Sequence, residues 1–137
     1  EGKTRTRVEG TFSQVQGPLH TLTGVNLEGY EIHMGETKLH ENVESFTRIT
    51  DTVKNETKAD GAFYNNVYGS YVHGIFDKEE VAKKVVEAIG EIKGLDVSSM
   101  TGVDFASFKE TQYDLLAQGL REHLDMKKIY QILEKGI

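Results

Sequence analysis

The hydrophobic period of this chain changes once, at Asp77, and no single motif constrains the fold as much. Before Asp77, apolar and polar residues alternate in short runs with glycine between them. After it, apolar residues recur every three or four positions. A period of two belongs to strands and a period near 3.6 to helices. The sequence therefore predicts a β-rich part over 1–76 followed by a helical part over 77–137. That order suggests an α/β or α+β domain, and periodicity does not choose between them.

In the first part, Thr4 to Phe12 (TRTRVEGTF) alternates and fits a half-exposed strand. Pro18, the only proline, sits in a Gly-Pro turn. Asn26 to Met34 alternates again. The face carrying Tyr30, Ile32 and Met34 is expected to be buried, leaving Glu31 and His33 together on the opposite face. Glu44 to Thr50 is a further short strand. Thr50 to Lys58 is polar and reads as a loop, and Asp60-Gly61 is a turn signal. The apolar run Val67 to His73 reads as a central strand buried on both faces, with His73 at its end.

In the second part, Asp77 and Glu80 have capping-box spacing, and Val81, Val85, Ile89 and Ile92 form an apolar stripe that Gly94 can end. A loop over 95–104 follows. Ser107 and Glu110 form a second capping-box pattern ahead of Leu116, Leu120 and Leu124. Asp125 reads as the cap of a last helix carrying Ile129, Ile132 and Leu133, which Gly136 can close.

Composition narrows the chemistry. With 16 basic and 22 acidic residues the net charge is −6, and no basic patch marks a nucleic-acid surface. No apolar run is long enough for a transmembrane helix, so no membrane partner is expected. The chain has no cysteine, so it supplies neither disulfide nor thiolate. The phosphate motifs GxxxxGK[ST] and GxGxxG are absent, as is the GxSxG elbow. Ser70 follows a glycine but lies inside a strand pattern. His20, His33, His40, His73 and His123 do not pair at the i, i+4 spacing of a helical zinc site, so no metal is expected. Asn55-Glu56-Thr57 is a formal glycosylation triplet without a secretion signal.

Two clusters remain, GYEIHMGET (Gly29 to Thr37) and GSYVHGIFD (Gly69 to Asp77). Each ends a strand pattern at a histidine and turns at a glycine. The plainer explanation is a pair of strands with polar end residues. The functional one makes His73 a general base at a strand end, with Gly74 allowing close approach of substrate or backbone.

These clusters, with KTRTRVEG (Lys3 to Gly10), DGAF (Asp60 to Phe63) and the tail from Tyr113 to Leu133, resemble the glutaminase domain of cobyric acid synthases. The resemblance implies a class I glutaminase-like (flavodoxin-like) α/β sheet, with this chain its C-terminal portion. It implies a cytoplasmic, glutamine-dependent ligase of cobalamin biosynthesis. Such an enzyme amidates the b, d, e and g side chains of adenosylcobyrinic acid a,c-diamide. By motif the catalytic histidine falls on His73, with Tyr30, Glu31, His33 and Gly74 as supporting residues. The nucleophilic cysteine would lie upstream of Glu1, leaving the chain alone inactive. ATP, Mg²⁺ and the corrinoid would be bound by a domain further upstream, with no cofactor in this chain.

Where many class I glutaminases read His-x-Glu, the third place here is Ile75, so the resemblance implies a dyad or another orienter, Glu31 on a neighbouring strand being one candidate. The alternatives are a non-catalytic glutaminase-like binding module and the sister cobyrinic acid a,c-diamide synthase. Exposed sheet edges in a truncated domain favour self-association, so the isolated chain is expected to dimerise or to be less stable than its parent.

Overall fold

The computed structural model describes residues 3–100, 102 and 104–136; two positions of the loop expected over 95–104 lie outside them. Two compact units divide the chain at Val103–Asp104. Among the described residues the first unit holds seven strands and one α-helix. Five strands make an antiparallel sheet in the order β4-β3-β1-β2-β7, and β5 pairs with β6 as a separate hairpin. The strands are β1 (Thr4–Phe12), β2 (Asn26–His33), β3 (Thr47–Asp51), β4 (Thr57–Asp60), β5 (Ala62–Tyr64), β6 (Val67–Gly69) and β7 (Val72–His73). A 3₁₀ helix, Gly17–Leu22, joins β1 to β2 and starts at the Gly-Pro turn.

The strand alternation sends Val8 and Phe12 of β1, Leu27 of β2 and Ile49 of β3 to one face, where they meet Val15, Leu22, Val25, Phe46, Phe63, Val72 and Ile75. Burying each Leu or Ile side chain contributes about 1.5–3 kcal/mol before entropy is counted. Phe12 and Phe46 meet edge to face with centroids 5.0 Å apart. Gly10 lies in the middle of β1, where a Cβ would meet the Arg48 carbonyl oxygen at 2.1 Å, so only glycine lets β3 approach there.

The inward face of β2 is the reverse of the expected one. Leu27 and Glu31 are buried, whereas Tyr30, Ile32 and Met34 are exposed. The cause is a local satisfaction of the Glu31 carboxylate, which is only 2% exposed. One of its oxygens accepts from His33 Nε2 at 2.6 Å and from Lys58 Nζ at 2.5 Å. Lys58 lies on β4, separated from β2 by β3 and β1. Only a strongly curved sheet brings those side chains together, so this contact closes the concave face.

The Val67–His73 run is not one central strand. Gly69 ends the β5–β6 hairpin, and Val72–His73 forms a two-residue strand at the edge of the main sheet. The polar stretch read as a loop ends sooner than expected, because β4 begins at Thr57.

Helix α1 (Glu79–Lys93) packs against the 3₁₀ helix, and the Thr21 hydroxyl donates to the Lys84 carbonyl. Its N-cap is Lys78, without a side-chain cap, because the Asp77 backbone N–H closes a turn onto Gly74 instead. The inward stripe is buried Val81 and Ala88 with half-buried Val85, while Ile89 and Ile92 are exposed. Gly94 ends the helix in a left-handed conformation, φ 65°.

The second unit holds α2 (Phe105–His123) and α3 (Met126–Lys135). Asp104, not Ser107, caps α2, its carboxylate accepting from the backbone N–H groups of Ala106 and Ser107. Asp125 caps α3 as its sequence suggests, accepting from Lys128 N. Among the described residues no helix is long and apolar enough to cross a membrane.

Two outcomes follow from these contacts. Glu31→Ala should lower the unfolding free energy by about 2–4 kcal/mol in urea denaturation. The His33 end carries most of that loss, because half-exposed Lys58 can return to water. The Asp104 carboxyl is held below its ordinary value of 3.8, first by the Ser107 hydroxyl and then by the Ser107 N–H. A carboxyl with a depressed folded-state pKa stabilises above its unfolded value and loses that effect as pH falls through the folded one. Helical circular dichroism from α2 should therefore weaken on acidification below that ordinary value, whereas Asp104→Asn, which still caps, should remove this pH dependence.

Candidate functional site

His73 occupies the edge strand β7, and three features fix it there. Its backbone pairs with Tyr30 of β2, and Val72 pairs with Glu31. Gly29 admits this approach, since a Cβ there would meet the His73 carbonyl oxygen at 2.2 Å. Beyond the strand, Gly74 takes φ 78°, a left-handed value suited to glycine, and the Asp77 N–H donates to its carbonyl at 2.8 Å.

The imidazole is solvent-exposed, and its Nε2 lies 3.3 Å from the Ile32 carbonyl oxygen. A carbonyl only accepts, so Nε2 carries a proton, and in the neutral ring this leaves the lone pair on Nδ1. The group that orients the ring is thus a backbone carbonyl. Ile75 is buried in the core and takes no part.

Glu31 does not orient His73. Residues paired across an antiparallel ladder share a face, so Tyr30 lies beside His73 while Glu31 and Val72 point the other way. Glu31 serves His33 instead. The His33 ring is held between that carboxylate at 2.6 Å and the Gly35 carbonyl at 3.0 Å, and it stacks on Tyr71 with centroids 4.2 Å apart. Thr37 bonds the Tyr71 hydroxyl. His33 thus braces the loop after β2, whereas Tyr30 and Gly74 are the expected supporting residues that adjoin His73.

Ser70 is committed elsewhere. Its hydroxyl donates to the buried Asp60 carboxylate at 2.7 Å and accepts from Val72 N at 3.0 Å. Asp60 also accepts from Thr47 Oγ1 and Tyr71 N, so this network pins the β5–β6 hairpin to the start of β7. Next to it a cavity of about 350 Å³ is lined by Phe63, Tyr64, Tyr68 and Tyr71 among others. No group of three or more His, Asp or Glu gathers to hold a metal among the described residues.

Sequence reasoning did not find the Ile32 carbonyl, Lys58 or Tyr71. A backbone acceptor leaves no residue signature, and the other two, Lys58 on β4 and Tyr71 in the bend before β7, are distant in sequence from Glu31 and His33.

An exposed, backbone-oriented histidine on a sheet edge is an arrangement suited to proton transfer with a nucleophile brought from another segment. Comparison with known proteins gives the family: the CobB/CobQ-like glutamine amidotransferase domain matches residues 1–81, and the chain belongs to that family. Among individual proteins, it is 47% identical over 138 residues to the cobyric acid synthase of Ruminiclostridium cellulolyticum, covering 98% of this chain and 27% of that protein. It is 39% identical to the cobyric acid synthase of Lachnoclostridium phytofermentans and 37% identical to that of Citrobacter koseri, each over 98% of this chain and 28% and 27% of those proteins. The chain thus spans about a quarter of the length of these curated relatives. No solved structure matches it.

Gly29→Ala should push β7 away from β2. In the NMR spectrum of the chain, the His73 imidazole resonances should shift while those of His20, on the 3₁₀ helix, stay in place.

Proposed function

We propose that this chain is the histidine-bearing, C-terminal portion of the glutaminase domain of a cobyric acid synthase. The observation that carries the reading is the exposed His73 imidazole, with Nε2 held by the Ile32 carbonyl and Nδ1 available as a base. The family match and the relatives' names supply the substrate class, glutamine, and the corrinoid product line.

In this reading a cysteine from upstream sequence yields its proton to His73 Nδ1. The thiolate attacks the glutamine carboxamide carbon to form a tetrahedral adduct. His73 then returns the proton to the leaving nitrogen as the C–N bond breaks, releasing ammonia and leaving a glutamyl thioester. Water hydrolyses the thioester to glutamate. The ammonia serves the amidation of corrin carboxylates, for which ATP and Mg²⁺ act in the upstream part of the enzyme; no residue of this chain is assigned to them. The reading places the enzyme in the cytoplasm. By itself the chain lacks the nucleophile and is inactive.

In the full-length protein, His73→Ala should reduce glutamine-dependent amidation by about 10²–10⁴-fold and leave ammonia-dependent amidation within a few-fold of wild type. Equal loss with both nitrogen donors would point to damaged folding, and full retention of glutamine use would remove His73 from the reaction. Assay with both corrinoid substrates separates cobyric acid synthesis from a,c-diamide synthesis.

A further inference from the structure

Among the described residues, His33 is the histidine whose two ring nitrogens both face acceptors. Its Nε2 lies 2.6 Å from a Glu31 carboxylate oxygen and its Nδ1 3.0 Å from the Gly35 carbonyl oxygen. His20, His73 and His123 each engage a single carbonyl. A neutral imidazole carries one proton and can donate to only one of two acceptors. At the other acceptor it would set a lone pair against a lone pair. Both contacts are satisfied together only when each ring nitrogen carries a proton. Lys58 Nζ donates to the same Glu31 oxygen at 2.5 Å, and a cation there favours carboxylate over carboxyl. The extra proton therefore belongs to the ring.

The surroundings suit a charge. The His33 side chain is 13% exposed and that of Glu31 2%, so water and salt screen their attraction little. One face of the ring lies on Tyr71, with centroids 4.2 Å apart and planes 18° from parallel. A cation over a phenol is drawn to the negative face of the aromatic ring. Glu31 on β2, Lys58 on β4 and Tyr71 ahead of β7 are the titratable groups that meet in this cluster among the described residues.

Two segments converge on the ring. One is the turn after β2, where Gly35, at φ 86°, presents its carbonyl to Nδ1 and Thr37 bonds the Tyr71 hydroxyl. The other is the approach to β7, because Tyr71 stands just ahead of Val72 and His73 and its N–H is held by Asp60. Without its second proton the ring turns a lone pair toward the Gly35 carbonyl. The turn then loses its anchor, and Tyr71 loses the stacked charge and the Thr37 contact that hold it.

We propose that His33 is held as the doubly protonated imidazolium and that, through Tyr71, this charge positions the strand presenting His73. His33 is a positioning residue, since with Glu31 it stands on the face opposite Tyr30 and His73. The effect on catalysis rests on the glutaminase reading of His73, whereas the charge state does not. The restraint is present while the ring is charged and is lost as rising pH removes the second proton.

The first test is ¹⁵N NMR of the histidine rings in the chain. Near neutral pH both His33 nitrogens should carry protons, and loss of the second at higher pH should coincide with shifts of the Tyr71 and Val72 backbone amides. A single N–H on His33 near neutral pH, or its deprotonation with the Tyr71 amide unmoved, would overturn the proposal. The second test uses the full-length protein. His33→Gln, which is neutral, should lower kcat for glutamine-dependent amidation by about 10–100-fold, as a small misplacement of a catalytic group does, and leave ammonia-dependent amidation within a few-fold of wild type. His33→Arg, which keeps a flat, charged, doubly donating group, should recover most of that loss. Unchanged glutamine use in His33→Gln, no recovery in His33→Arg, or equal loss with both nitrogen donors counts against a positioning charge. His73→Ala run in parallel separates the two readings. If it abolishes glutamine use while His33→Gln behaves as wild type, only the role of His33 fails. If it retains glutamine use, the glutaminase reading fails.

Discussion

Glu31 accepts hydrogen bonds from His33 and Lys58 with its side chain almost wholly out of water, and the sheet is arranged around that pairing. A buried carboxylate without partners would be costly, so its position is tolerated only where a histidine two residues on and a lysine from the far edge strand converge on it. That convergence requires curvature. Curvature in turn sets which face of β2 looks inward, and so which face carries Tyr30 and His73 outward. The outward placing of Tyr30 and His73 thus follows from an ion pair on the opposite face.

Much of the architecture was legible in local patterns. The strands Thr4–Phe12 and Asn26–His33 follow from alternation, and the glycine after α1 and the aspartate before α3 from capping chemistry. The inward face of β2 was not legible, because alternation defines two faces without saying which is inside. Tyr30, Ile32 and Met34 are the more apolar set, and hydrophobicity alone favours burying them. The deciding partner, Lys58, is 27 residues away in sequence. The same limit applies to Val67–His73. Its apolar run is continuous in sequence, yet Gly69 ends one hairpin and Asp60 holds Ser70 and Tyr71 so that a different strand begins.

The candidate site was legible in part. His73 and Gly74 could be singled out because a histidine followed by glycine ends a strand pattern within a family motif. The partner of the imidazole could not, since it is a main-chain oxygen of the adjacent strand.

Ile75 sets a boundary on redesign. Its side chain is 8% exposed and packed with Val72 and Val81 in the core. Installing a glutamate there to recreate a three-residue relay would not bring a carboxylate to His73. It would bury a charge beneath the turn that carries the histidine. The ring's orientation in this scaffold is set instead by the strand that presents the Ile32 carbonyl, where it already has its acceptor.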